Sequence, residues 1–245
     1  MNTSFSPVFF PVSAPAFELF SFAFFGRTLA EYTRFFSLDP AALRGRAILD
    51  VAAGPSSFAA EASRAGIAAV AVDPLYGCPA ATLAAHVQLD YARTLAQMRS
   101  KPELFTFGAF ASLAEAEASR RSAAAGFMAD YEDGFLQGRY VGGALPQLPF
   151  EDRSFDLVLC AHLLFIYQRM LDYDFHLAAC RELVRVSRGE VRIHPVCGPD
   201  GFPYAKLPRL RADLAKTSIA SQIVPVNYEF FRGSGTMLVL GGRKG

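Results

Sequence analysis

Two aspartates close apolar stretches 23 positions apart in ILDVAAGPSSFAAEASRAGIAAVAVDP, residues 48–74: Asp50 ends the first and Asp73 the second. Between them runs a series of small residues, Ala52, Ala53, Gly54, Pro55, Ser56 and Ser57. A strand, a small-residue turn and a helix N-terminus make an anion site, because free backbone N–H groups and the helix dipole point at the ligand. A carboxylate at Asp73, closing the second strand, is spaced to accept both hydroxyls of a ribose. The glycine slots of a dinucleotide fingerprint carry Ala52, Gly54 and Ser57, and Pro55 lacks an N–H. A pyrophosphate needs the closer approach that glycines allow. The pattern therefore favours a nucleoside with a carboxylate tail over NAD or FAD.

A second group follows the apolar run FDLVLCA. His162 comes directly after it, at the expected carboxyl edge of a strand, where it is the leading candidate for a general base. Tyr167, Asp172 and Tyr173 lie just beyond and are candidates to reach a substrate. His176, on a helical pattern, His194, beside Pro195, and Asp156, at a strand start, read as structural. Cys78, Cys160, Cys180 and Cys197 show no CxxC pair and no zinc-like spacing, so no metal site is expected.

The elements that must hold these groups alternate between strand and helix patterns. Phe17 to Phe36 reads as an amphipathic helix, with Phe17, Phe20, Phe24, Leu29 and Tyr32 on one stripe and Arg27, Glu31 and Arg34 on other faces. Arg46 to Val51 reads as the first strand. Ser56 or Ser57 caps the next helix and Gly66 ends it. Ile67 to Val72 is all apolar, as a strand buried on both faces would be. Residues 78–138 are rich in Ala, Glu, Arg and Leu and far exceed an ordinary connection, so they read as a helical insertion. A short strand at Arg139 to Val141, a strand at Phe155 to Cys160, a helix through Phe175 and Val186, the strand EVRIHPV and a helix over Tyr204 to Lys216 follow. IVPVNYEFF, RGSG and TMLVLGG read as a closing hairpin. The sum is an α/β fold, a doubly wound Rossmann-like sheet that is mostly parallel with an antiparallel strand from the C-terminal hairpin.

On LDVAAGPSS, the Asp73 strand end, LPFEDRSFDLVLCAH, the helix before EVRIHPV and the closing hairpin, the chain resembles the class I S-adenosylmethionine-dependent methyltransferases of the type 11 kind. The resemblance spans roughly residues 45–245. It implies S-adenosyl-L-methionine as cofactor and methyl transfer as activity. It further implies that Ala52 and Gly54 meet the methionine moiety through backbone, within the turn that includes Pro55 and Ser56, with Asp50 near the ammonium group. Asp73 would take the ribose, and Pro74 and Leu75 would flank the adenine, with Leu145 on its other face. Ala144 stands where many relatives carry an acidic residue for the adenine amino group. Cys160, Ala161 and His162 would line the floor beside the reactive methyl.

Composition narrows the partners. The 245 residues carry a formal net charge of +1, without the basic face that nucleic-acid binding requires. Ten of the 23 phenylalanines fall in the first 36 residues, in FSPVFFPVSAPAFELFSFAFFG and just after it. Pro7, Pro11, Pro15 and Glu18 keep that stretch short of the ~20 uninterrupted apolar residues of a membrane helix. No secretory signal is evident. The expectation is one cytoplasmic methyltransferase domain over residues 1–245. Residues 1–44 would form a helical lid and 78–138 an insertion, together roofing a site for a small-molecule acceptor. The rival expectation is a non-catalytic, methyltransferase-like binding module that acts through a protein partner. A nicotinamide-dependent oxidoreductase is disfavoured by Ala52, Ser57 and the hairpin.

Overall fold

A computed structural model describes residues 15–242. Its sheet contains β1 (Ala47–Val51), β2 (Ala68–Asp73), β3 (Tyr140–Gly142), β4 (Phe155–Ala161), β5 (Ser187–His194), β6 (Ile219–Pro225) and β7 (Thr236–Gly242), in the order β3-β2-β1-β4-β5-β7-β6. The first five strands run parallel, and β7 is antiparallel to both of its neighbours. The apolar runs of β1 and β4 are buried on both faces, which is why they read as continuous rather than alternating.

Helices α1 (Leu29–Phe35), α2 (Phe58–Arg64), α3 (Ala80–Ser100) and α4 (Leu113–Leu136) gather on one side, where Tyr32, Phe35, Phe58, Leu83 and Phe127 share a core. Helices α5 (Tyr173–Val186) and α6 (Leu207–Ala215) cover the other with Leu183, Val186 and Leu210. α2 stops where Gly66 takes φ +74°, a left-handed conformation that costs glycine little. The expected insertion is the long pair α3 and α4. No helix among the described residues is long and apolar enough to cross a membrane.

Two sequence expectations are corrected. The helix expected from Phe17 is confined to α1, which starts after Thr28 with a capping box to Glu31. Residues 15–28 form a non-helical strap. Side chains elsewhere satisfy its main chain: Ala23 N–H donates to Tyr167 OH at 2.9 Å, Phe24 N–H to Asp90 Oδ2 at 2.7 Å and Gly26 N–H to Tyr91 OH at 3.2 Å. These long-range bonds override the helical periodicity, and Phe20 is left 80% exposed. A Cβ on Gly26 would lie 2.0 Å from the Pro55 carbonyl oxygen, so only glycine lets the strap rest on that backbone. The Phe5 to Ala14 part of the Phe-rich stretch lies outside the described residues.

The hairpin is also displaced. β6 begins at Ile219, and NYEFF belongs to the long connection before β7. That connection is drawn toward the α3–α4 linker by Thr106 N–H donating to Phe230 O and Arg232 N–H donating to Leu104 O, each at 2.8 Å. Tyr228 and Phe230 are thereby buried.

Candidate functional site

A cavity of about 560 Å³ opens at the carboxyl ends of β1, β2 and β4. Ala52 and Gly54 follow β1, Asp73, Pro74 and Leu75 end β2, Ala144 and Leu145 follow β3, and Ala161 and His162 end β4; all nine line it. The strap, Met98 of α3, and Phe230 and Phe231 of the last connection enclose it with apolar surface. This is the switch point of an open α/β sheet, where β1 sends one connection outward and β4 the other. Ala52 (φ +56°) and His162 (φ +53°) both adopt left-handed backbone there, a conformation that non-glycine residues take at an energetic cost.

Asp73 lies at the centre of the β2 end. Its Oδ2 accepts from Gly54 N–H and its Oδ1 from Leu75 N–H, both at 3.0 Å. Burial raises its carboxyl to about 6, and the two backbone donors restrain the rise. Among the described residues the buried Nδ1 of His162 has no partner, and its main-chain N–H donates to His194 O at 2.6 Å. Burial, then the charge of Arg27, then His194 and Arg120 hold its basicity well below the usual histidine range. The imidazole is therefore neutral near pH 7.

Four of the residues expected at the cofactor do not line the cavity. Asp50 is fully buried, and both its oxygens accept from Tyr32 OH, at 3.0 and 2.9 Å. Cys160 lies in the core on the α5 side. Pro55 is packed against Gly26, and Ser56 Oγ donates to Arg27 O at 2.8 Å. The turn differs from a free-standing anion cradle as well. Ala53 N–H donates to Val72 O, Gly54 N–H to Asp73, Ser57 N–H to Arg27 O and Phe58 N–H to Ser56 Oγ. The protein itself consumes these donors, and α2 is only seven residues long.

Of the candidates beyond β4, Tyr167 lines the cavity. Asp172 caps α5 and Tyr173 bonds Asp213, so neither lines it. His176 bridges the carbonyls of Asp172 and Leu164, and His194 Nε2 meets Ser234 O at 2.7 Å. Asp156 accepts from Ala47 N–H and pairs with Arg188. Among the described residues, no cluster of three or more metal-ligating side chains forms.

The sequence did not reveal a charged group on the far wall. Arg120 of α4 pairs with Glu31, whose Oε1 also accepts from Tyr228 OH at 2.9 Å. Arg27 lines the cavity nearby, with Nη1 donating to Phe25 O at 2.8 Å and Gly26 O at 3.0 Å. Glu31, expected on a face other than the aromatic stripe, is 3% exposed. Its partners are 89 and 197 positions away, so no local spacing signalled them.

No protein-family model matches the chain. An uncharacterized protein of Methanocaldococcus jannaschii is 28% identical over 216 residues, spanning 88% of this chain and 94% of its own. Among solved structures, the chain is similar to magnesium protoporphyrin IX methyltransferase from Synechocystis PCC 6803 with bound SAM. That match has a TM-score of 0.44 and 12% identity, and covers 86% of this chain and 74% of that one. A SAM dependent methyltransferase from Aquifex aeolicus matches at TM-score 0.42 and 14% identity, over 86% of this chain and 96% of that one. The strand order with its antiparallel β7 decides the architecture. The fold is a doubly wound, Rossmann-like α/β sheet, mostly parallel and ended by antiparallel strands. In that fold, Ala52, Gly54, Asp73 and His162 fall at the ends of β1, β2 and β4, around one cavity.

Proposed function

We propose that the protein binds S-adenosylmethionine in this cavity and transfers its methyl group to a small-molecule acceptor. One observation carries the reading: Asp73, the left-handed turn at Ala52 and Gly54, and His162 line the same cavity. The residues fit the cofactor. Each Asp73 oxygen accepts one backbone bond and keeps a lone pair for a ribose hydroxyl. Leu75 and Leu145 offer apolar surface to a base, and Ala144 adds no acid there. A volume of about 560 Å³ lies within the range of small-molecule sites.

When bound, the cofactor supplies an electrophilic methyl on a sulfonium, a good leaving group. The chain's part is then mainly to position the acceptor and exclude water, contributions worth roughly 7–11 kcal/mol at best. Phe17, Phe105 and Phe231 pack edge to face at ring-centroid separations of 5.8 to 5.9 Å and keep that end of the cavity dry. Neutral His162 takes the proton of an acceptor that must lose one. The strap and α3 enclose the cavity, which favours a small acceptor over a macromolecule.

Calorimetric titration with S-adenosylmethionine or S-adenosylhomocysteine tests this directly. Saturable binding to the folded protein is expected. No binding at millimolar nucleoside by a sample with native circular dichroism overturns it.

A further inference from the structure

A buried guanidinium is ordinarily answered by a carboxylate, because an uncompensated charge inside a protein is costly. Arg120 follows that rule through Glu31. Arg27 does not: among the described residues no carboxylate lies within 4.0 Å of it, and its Nε is buried without a partner. Its Nη1 contacts are two neutral carbonyls of its own strap. Its guanidinium carbon sits 5.0 Å over the Phe25 ring, a contact that carries no negative charge. Burial, then Arg120, lowers its proton affinity, and Glu31 only partly offsets this.

The main chain fixes where this charge stands. Arg27 O accepts from Ser57 N–H at 3.1 Å and from Ser56 Oγ at 2.8 Å, so the residue is latched onto the turn after β1. The donors a carboxylate would normally find in that turn, at Ala53, Gly54, Ser57 and Phe58, are engaged within the protein. An anion entering the cavity therefore meets a cationic side chain in place of a ring of free amides.

We propose that Arg27 is the carboxylate receptor of this cavity. A guanidinium suits the role because it presents planar, paired donors that match the two oxygens of a carboxylate. Two sources bring the same chemistry. One is the methionine tail of the cofactor, and that source rests on the function proposed above. The other is an acidic group on a planar apolar acceptor, for which the phenylalanine-lined wall provides the surface.

The test compares wild type, Arg27→Gln and Arg27→Lys by calorimetry with two pairs of ligands. S-Adenosylhomocysteine is set against 5′-methylthioadenosine, which lacks the amino-acid tail. 2-Naphthoate is set against neutral 2-naphthamide. Arg27→Gln is expected to weaken the carboxylate of at least one pair by about 10- to 100-fold while sparing its neutral counterpart, with Arg27→Lys recovering part of the loss. Loss in the nucleoside pair identifies the cofactor tail, and loss in the naphthalene pair identifies an acidic acceptor. Equal effects on both members of each pair, or a wild type that binds neither carboxylate, overturn the proposal. If neither nucleoside binds, the methyl-donor reading falls, and the naphthalene pair still decides the role of Arg27. Arg27→Gln is expected to keep or raise the Tm, because it removes an unpaired buried charge. A lowered Tm with equal losses in each pair marks a structural arginine instead.

Discussion

The Oδ2 atom of Asp73 accepts a hydrogen bond from the Gly54 N–H at 3.0 Å, so the end of β2 holds the turn that follows β1. One carboxylate thus shapes the turn and also lines the cavity beside it. Burial raises its carboxyl to about 6, within reach of ordinary buffers.

Nucleoside binding should therefore depend on pH through Asp73. Hydroxyl donors bind an ionised carboxylate more strongly than a protonated one. The affinity for S-adenosylhomocysteine is expected to be level above about pH 7 and to weaken as pH falls through about 6. Asp73→Asn should lower affinity by about 1–3 kcal/mol and flatten that step. A wild-type profile that is level from about pH 5 to 8 would show that this carboxylate does not receive the nucleoside.

Tyr32 and Asp50 form a second linked pair, behind the cavity rather than in it. Burial raises the Asp50 carboxyl well above its usual range, and Asp73 adds to the rise, against the Tyr32 hydrogen bond. A raised carboxyl stabilises the fold fully below the ordinary carboxylate range. That contribution is lost as pH rises through the raised value. Asp50→Asn is expected to be at least as stable as wild type at pH 7 in urea unfolding. Tyr32→Phe, which removes the hydroxyl bound to both Asp50 oxygens, should cost about 1–3 kcal/mol. A large loss in Asp50→Asn at pH 7 would mean that the ionised form is the native one.

Glu31 and Arg120 should behave in the opposite sense. Burial alone would raise the Glu31 carboxyl, but Arg120 and Arg27 outweigh it and hold it below the usual range. Its contribution is present above the ordinary carboxylate range and is lost as pH falls through the lowered value. Glu31→Gln leaves Arg120 buried without its paired counter-charge, and should cost about 3–5 kcal/mol near neutral pH. The difference from wild type should shrink in acid. The double variant Glu31→Leu with Arg120→Met should regain most of the loss in urea unfolding. Equal stability of wild type and Glu31→Gln would refute the pair's structural weight.

These groups differ in how legible they were in the sequence. β1, β2 and β4 could be read because parallel strands buried on both faces leave unbroken apolar runs, and Asp73 and His162 stand at their ends. The insertion could be read from length and composition. The strap could not, because its hydrogen bonds go to Asp90, Tyr91 and Tyr167, whose distance in sequence leaves no period. Its phenylalanines therefore resembled one face of a helix. Glu31, Arg120 and Tyr228 were hidden for the same reason: Glu31 meets the other two across 89 and 197 positions of sequence. Asp50 stood as a ligand contact only through the family resemblance, and Tyr32 claims both its oxygens.

His162 gives the last test, and it connects the two halves of the site. An acceptor that must lose a proton needs a base, and His162→Asn should lower kcat by about 10²- to 10⁴-fold while leaving S-adenosylhomocysteine affinity unchanged. Only the neutral imidazole accepts a proton, and burial with Arg27, His194 and Arg120 keeps it neutral to well below the usual histidine range. The acid limb of kcat against pH is therefore expected below that range, with no loss between about pH 7 and 6. Arg27→Gln removes one of the positive charges acting on the ring and should move that limb to higher pH. A limb that stays in place in Arg27→Gln, or a kcat unchanged in His162→Asn, would remove His162 from proton transfer. It would then be left as a wall of the cavity.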